Sequence, residues 1–260
     1  MHLDKINFAS VSSPQASKPK TISADLISKI WNIDNITEAK VLDQNTQLNC
    51  KSTNNGLSRQ FLTNDWMLQK KRINSQFFTD NFFVTASGVS TRGNNCAQIF
   101  VSDKGFVAIY PTRSKSDFPD ALHMFCKEVG VNLSLILDPA GEQNSGKFKK
   151  FSHQIGTTLR ILEESTQWYN WAELYVGMFK ESIRKYIQST NFNMRLWDYF
   201  TDHRDKVHNV TPCNLFQLNG NNTPVSTHGA QGDIFNIYKF RWYDWCYLLE
   251  GGKVELTFKK

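Results

Sequence analysis

Cysteine is scarce: Cys50, Cys96, Cys126, Cys213 and Cys246 are odd in number, scattered, and form no Cys-x-x-Cys pair. That pattern argues against a disulfide framework and for a reducing, intracellular compartment. No apolar run resembling a signal peptide occurs between Met1 and Lys20, and no stretch approaches the roughly twenty apolar residues of a membrane span. Internal repeats are absent too. What remains is a chain of 260 residues, 40% hydrophobic and 13% aromatic, enough for one good-sized domain with extensions. Its net charge of +6 leans towards an anionic partner, nucleic acid being the commonest, although many basic proteins bind nothing acidic.

Residues 1–24, rich in Ser, Lys, Pro and Ala without periodicity, read as a disordered lead-in. Residues 25–74 carry helical hints at Ala24–Trp31 and Thr37–Leu42 but no self-sufficient core, so they read as an arm packing on the domain C-terminal to it. From residue 75 to 210 the periodicity sharpens. Gln76–Thr85 suits a strand, and Gln98–Ser102 with Phe106–Pro111 reads as a hairpin around Asp103-Lys104-Gly105. A helix over Asp117–Val129 presents Phe118, Ala121, Leu122 and Phe125 on one face, and the apolar run Leu133–Leu137 marks a buried central strand. A helix at Lys147–Gln154, a strand at Thr157–Leu162 and long helices near 168–188 and 194–208 complete the order βββαβαβαα. That order predicts an α/β fold with a mixed five-stranded sheet and helices on both faces. Residues 211–260 form an aromatic extension, whose Trp242, Tyr243, Trp245 and Tyr247 make either a stacking surface for nucleic acid or a small core packed on the main domain.

Three carboxylates fall in unusual places. Asp80 shares the apolar face of its strand with Phe78, Phe82 and Val84, and a buried carboxylate needs a cationic partner or a metal. Asp138 ends the apolar run just before Pro139 and Gly141, at the carboxyl end of a central strand. Glu173 opens the first long helix, in line with Gly177, Lys180 and Arg184 and off the stripe Trp168, Ala172, Tyr175, Phe179 and Tyr186. Each has an ordinary reading as well: an ion pair, a turn residue and a solvated helix face. Together, however, an acid on strand one, an acid after strand four and an acid opening a later helix form the layout of RNase H-like enzymes. Three such carboxylates can hold two Mg²⁺ ions about 4 Å apart.

Residues 75–250 resemble the integrase region of copia-type LTR retrotransposons, within the wider retroviral integrase and transposase group. The resemblance rests on Thr79-Asp80, Phe100–Ser116 (FVSDKGFVAIYPTRSKS), Leu137–Gln143 (LDPAGEQ) and Ser165–Glu173 (STQWYNWAE). Trp197, Asn209, Thr223-Pro224 and Gly232-Asp233-Ile234 also stand where the family places similar residues. It implies an RNase H-like core over 75–210, with Asp80, Asp138 and Glu173 as catalytic metal ligands for Mg²⁺ or Mn²⁺, two ions with DNA bound. It further implies Lys180 as a contact to the element's DNA end and Gln167 in the loop bordering the site. The chain departs from the family pattern at Val176 and Gly177, where a polar and a basic residue are expected. It also departs at the loop glycine before the helix, replaced by a stretch with Tyr169 and Trp171. Only His2 and Cys50 precede residue 75, too few for the family's His₂Cys₂ zinc module. His203 and His208, five apart on a helix, read as structural.

No acid stands between Glu142 and Glu163, while Lys147, Lys149, Lys150 and Arg160 do, a pattern that fits phosphate contacts and equally an ordinary solvated face. With Arg184 these lysines complete the candidate DNA-binding set. The expected activity is DNA 3′-end processing followed by strand transfer, with element and target DNA as partners, a homo-oligomer as the working form and at least transient nuclear residence. Two alternatives stay open: a catalytically decayed nucleic-acid-binding remnant, and a nuclease for RNA in hybrids using Asp198 or Asp202 as a further acid. Those two aspartates read more simply as capping or solvating the next helix.

Overall fold

The computed structural model describes residues 22–47, 71–83, 88–138, 146–163, 166, 169–212, 222–230, 232–234, 237 and 242–243. Expectations placed on 1–21, Val84, Trp168, Trp245 and Tyr247 lie outside the described residues. Five strands, β1 (Arg72–Phe83), β2 (Cys96–Ser102), β3 (Val107–Thr112), β4 (Val131–Leu137) and β5 (Thr158–Ile161), form one sheet in the order β3-β2-β1-β4-β5. The first three pair antiparallel, whereas β1–β4 and β4–β5 are parallel. This is the expected mixed five-stranded α/β sheet of RNase H-like type, with the longest strand at its centre.

Alternation along β1 sends its aromatics to both faces. Phe77 joins Leu135, Leu137 and Phe100 under α3 (Phe118–Glu128) and α4 (Gly146–Ile155), which contribute Phe118, Leu122, Phe125, Phe148 and Ile155. Phe78 and Phe82 join Ile99, Val101 and Ile136 under α5 (Trp171–Thr190) and Trp197, the first residue of α6 (Trp197–Val210). The α3 stripe Phe118, Ala121, Leu122 and Phe125 is buried as its spacing predicts. Leu133 is not: it is exposed where β1 and β4 shift register, so that Asn74 and Ser75 oppose this one residue.

Ahead of the sheet, α1 (Ala24–Trp31) and α2 (Asn35–Gln44) bury Ile27, Trp31 and Val41 in a cluster shared with Val207 and Val210 of α6 and with Ile234. Beyond α6 come α7 (Pro224–Thr227) and, further on, Trp242, whose ring packs on Phe192, Phe200 and His203. Trp242 therefore belongs to a small aromatic cluster on the main body rather than to a stacking surface. No helix among the described residues is long and apolar enough to cross a membrane.

Candidate active site

The parallel register of β1 and β4 pairs Thr79 with Leu137, and each of the two aspartates is the next residue along its strand. Adjacent strands run about 4.8 Å apart, so Asp80 and Asp138 leave the sheet as neighbours. Alternation with Phe78 and Phe82 on one strand and with Ile136 on the other aims both towards the α5 face. Asp80 is half-buried, and among the described residues neither acid has a lysine or arginine within ion-pair distance. Burial drives the Asp80 carboxyl up to about 6. The Asn81 N–H, donating to its Oδ1 at 2.7 Å, opposes that rise, the charges of Asp138 and Glu173 reinforce it, and Lys180 pulls the other way. Burial likewise raises the Asp138 carboxyl, against a hydrogen bond from Asn170.

Glu173 lies in the first turn of α5, exposed. The row Glu173, Gly177, Lys180 and Arg184 turns away from the core, while Ala172, Tyr175, Val176, Phe179, Ile183 and Tyr186 are buried. Val176, a departure from the family pattern, is thus a packing residue. Gly177 leaves open space where a side chain would stand. Lys180 is half-buried within electrostatic reach of Asp80, and Arg184 is exposed, loosely paired with Glu181 at 3.5 Å. Lys149 and Lys150 are exposed on α4, which packs on the opposite face of the sheet from α5, so they do not join this row. Gln167 lies outside the described residues, as does the side chain of Lys147.

The junction before α5 is tethered. Trp171 stacks on Phe78 with centroids 5.1 Å apart, so it packs into the sheet rather than crowding the loop. Asn170, buried at the N-cap, accepts from the Ala172 N–H and donates to Asp138 Oδ1 at 3.1 Å and to the Thr79 carbonyl at 3.4 Å. Sequence reasoning passed over Asn170, although an asparagine directly before a helix is an N-cap signal.

Asp198 and Asp202 correct an expectation in part. Asp198 is fully buried, held by Arg92 Nε at 2.7 Å and Asn94 Nδ2 at 2.9 Å, and Asp202 takes Arg92 Nη2 at 3.0 Å. They pin the loop before β2 onto α6; Asp198 Oδ1 also accepts the Tyr199 N–H in the first turn, the capping role expected of it, and Asp202 stays partly exposed. Two more α6 residues cover the outer edge of the sheet: Asn209 bonds both the N–H and the carbonyl of Val107, and Asp205 accepts from the Ile109 N–H. Burial holds the His203 and His208 imidazoles down at about 4, and His208 Nε2 lies 3.0 Å from the Gly105 carbonyl, in keeping with a structural role.

The donor set suits a hard divalent cation in part. Two carboxylates that repel each other, share one face and lack a cationic partner are the ligand chemistry of Mg²⁺ or Mn²⁺. As posed, no three His, Cys, Asp or Glu side chains among the described residues stand close enough together to hold an ion. Asp80 and Asp138 therefore fit as the fixed pair, with Glu173 as a third acid at the rim.

No family model matches the sequence, and no curated protein matches it. Among solved structures, the chain is similar to the integrase catalytic core domain of HTLV-2 in complex with magnesium. The trimeric form gives a TM-score of 0.47 at 14% identity over 61% of this chain and 99% of that one. The dimeric form gives 0.45 at 15% identity over 60% and 97%. The catalytic core domain of BIV integrase gives 0.43 at 10% identity over 59% and 92%.

Proposed function

We propose that the chain is a metal-dependent polynucleotidyl transferase of the retroelement integrase type, which trims DNA 3′ ends and joins them to target DNA. The observation that carries this reading is the side-by-side placement of Asp80, within β1, and Asp138, just past the end of the parallel strand β4, with Glu173 and Lys180 both acting electrostatically on Asp80. Asp80 and Asp138 would hold Mg²⁺ or Mn²⁺ with Glu173 completing the set; bound cations would offset charge at the phosphorus under attack. The hydroxyl attacks phosphorus directly, so the protein supplies placement and charge rather than a nucleophile. Lys180, seven residues beyond Glu173 on the same helix row, lies where it can grip a phosphate beside the acids. The same reading takes DNA as the partner, a homo-oligomer as the working form and the nucleus as an at least transient location. The domain limits carry over as part of this reading: lead-in 1–24, arm 25–74, catalytic core 75–210 and extension 211–260. Asp198, buried against Arg92, and Asp202, paired with the same guanidinium, are both engaged in holding the loop before β2, which weighs against either as the further acid of a hybrid nuclease.

Two variants test it. Asp138→Asn should abolish strand transfer with Mg²⁺ or Mn²⁺ while DNA affinity stays level or rises slightly. Lys180→Ala should weaken DNA binding and flatten its salt dependence by about one phosphate contact, with transfer partly recovered at higher DNA concentration. Equal loss of binding in both variants would reduce the row to a folding element. An inert wild type that still binds DNA would favour the decayed remnant.

A further inference from the structure

We infer that Asn170 is a positioning residue that joins the Asp138 carboxylate and the first turn of α5 into one unit, setting the cation-binding geometry before any cation arrives. The inference rests on the reading of Asp80, Asp138 and Glu173 as the cation-binding acids.

One buried amide makes all the links. Asn170 is 2% exposed, its Oδ1 accepts from the Ala172 N–H at 3.1 Å, and its Nδ2 donates to Asp138 Oδ1 and to the Thr79 carbonyl. The partners dictate the amide orientation: turned over, it would set two donors against each other at Ala172 and an oxygen against a carboxylate. A planar group with both ends committed fixes the helix start relative to β4 and to the backbone beside Asp80. Capping alone does not call for this residue, since serine, threonine or aspartate would serve the Ala172 N–H equally well. The donor half is an addition, aimed at a carboxylate the function needs. It engages Oδ1 and leaves Asp138 Oδ2 without a protein partner among the described residues. Trp171, stacked on Phe78, holds the same junction from the next position. Glu173, three residues past Asn170, is thereby kept at a set distance from the acid pair.

The experiment is a Mn²⁺ titration of the full chain without DNA, followed by loss of the free-ion electron paramagnetic resonance signal, beside melting curves without cation. Asn170→Ser keeps the cap and loses the reach to Asp138. Its cation-free melting temperature should stay close to wild type while its Mn²⁺ dissociation constant rises roughly 10- to 100-fold, the usual cost of losing a hydrogen bond to a metal ligand. Strand transfer by Asn170→Ser should recover at saturating Mn²⁺. Asp138→Asn is the control for the acid reading and should lose the binding itself. If Asp138→Asn does so and Asn170→Ser binds Mn²⁺ as wild type does, the positioning role is wrong and the acid reading stands. If Asp138→Asn binds like wild type, or wild type binds no Mn²⁺, the acid reading and this inference fall together. Should Asn170→Ser melt early, Asn170→Thr replaces it, and the increment Mn²⁺ adds to each protein's own melting temperature is compared. Failure of both to fold would make Asn170 purely structural and overturn the proposal.

Discussion

Replacing Asp80 by asparagine should stabilise the cation-free protein, the reverse of what removing a buried polar group usually does. Its carboxyl titrates at about 6 in the fold against 3.8 in the open chain, so ionisation is penalised in the folded state by about 3 kcal/mol at 1.36 kcal/mol per pH unit. The sign comes from proton binding. Below pH 3.8 the carboxyl is protonated in folded and unfolded chains alike, and no penalty exists. Between 3.8 and about 6 the folded state holds more protons, so stability falls as pH rises; above about 6 the full penalty stands. Asparagine keeps an acceptor for the Asn81 N–H and carries no charge, so urea unfolding in EDTA near pH 7.5 should find Asp80→Asn more stable by about 2–3 kcal/mol. The difference should shrink to nothing near pH 4. Asp205, whose carboxyl burial lifts to about 8, lowers stability over an overlapping range but does so in both proteins and cancels. Mg²⁺ at ten times its dissociation constant should narrow that gap by about 1.4 kcal/mol, and at a thousand times, where it adds about 4 kcal/mol to wild type and little to the variant, it should reverse the ranking. A variant equal to or less stable than wild type near pH 7.5 in EDTA would refute the electrostatic account of the acid pair.

The remaining predictions concern the frame around the site. Asn209→Ala strips both bonds from Val107 at the sheet edge and should cost about 3 kcal/mol in urea unfolding. Because Pro111, two residues beyond Ile109, offers no N–H, the Val107 N–H is the donor this change frees, and light scattering should rise with protein concentration. Gly177→Ala adds a methyl that meets nothing within 4 Å on an exposed helix position and should raise stability by up to about 1 kcal/mol. Arg92→Ala leaves the Asp198 carboxylate buried with its cationic partner gone and should destabilise by about 3 kcal/mol, whereas Tyr199→Phe, beneath the same guanidinium, should change little.

The parts of this architecture that could be read from the sequence are those set by local periodicity. The alternation through Phe78, Asp80 and Phe82 identified a charge on an apolar face, and the end of the run at Leu137 placed Asp138 at a strand terminus. Neither pattern contains the register of β1 against β4, and that register is what makes the two acids neighbours. Contacts that cross the chain were equally hidden: Arg92 meets Asp198 across 106 positions, and Asn209 meets Val107 across 102. No spacing rule links such pairs, so Asp198 read as a helix-end residue and Asn209 as a family match without a role. The exposed Leu133 was hidden by a bulge in its neighbour, not by its own strand.

Asn170 divides along the same line within a single side chain. Its oxygen serves Ala172, two residues on, and that half is written in the local pattern of asparagine before a helix. Its nitrogen serves Asp138 and Thr79, across 32 and 91 positions, and no local pattern encodes it. Substitutions that respect the local half, serine or threonine, satisfy every rule the sequence displays, yet they cut the link between helix and acid pair. A residue chosen by helix-capping rules alone should fold the domain and loosen its site. The two halves of one amide therefore separate what makes the chain fold from what makes the site bind.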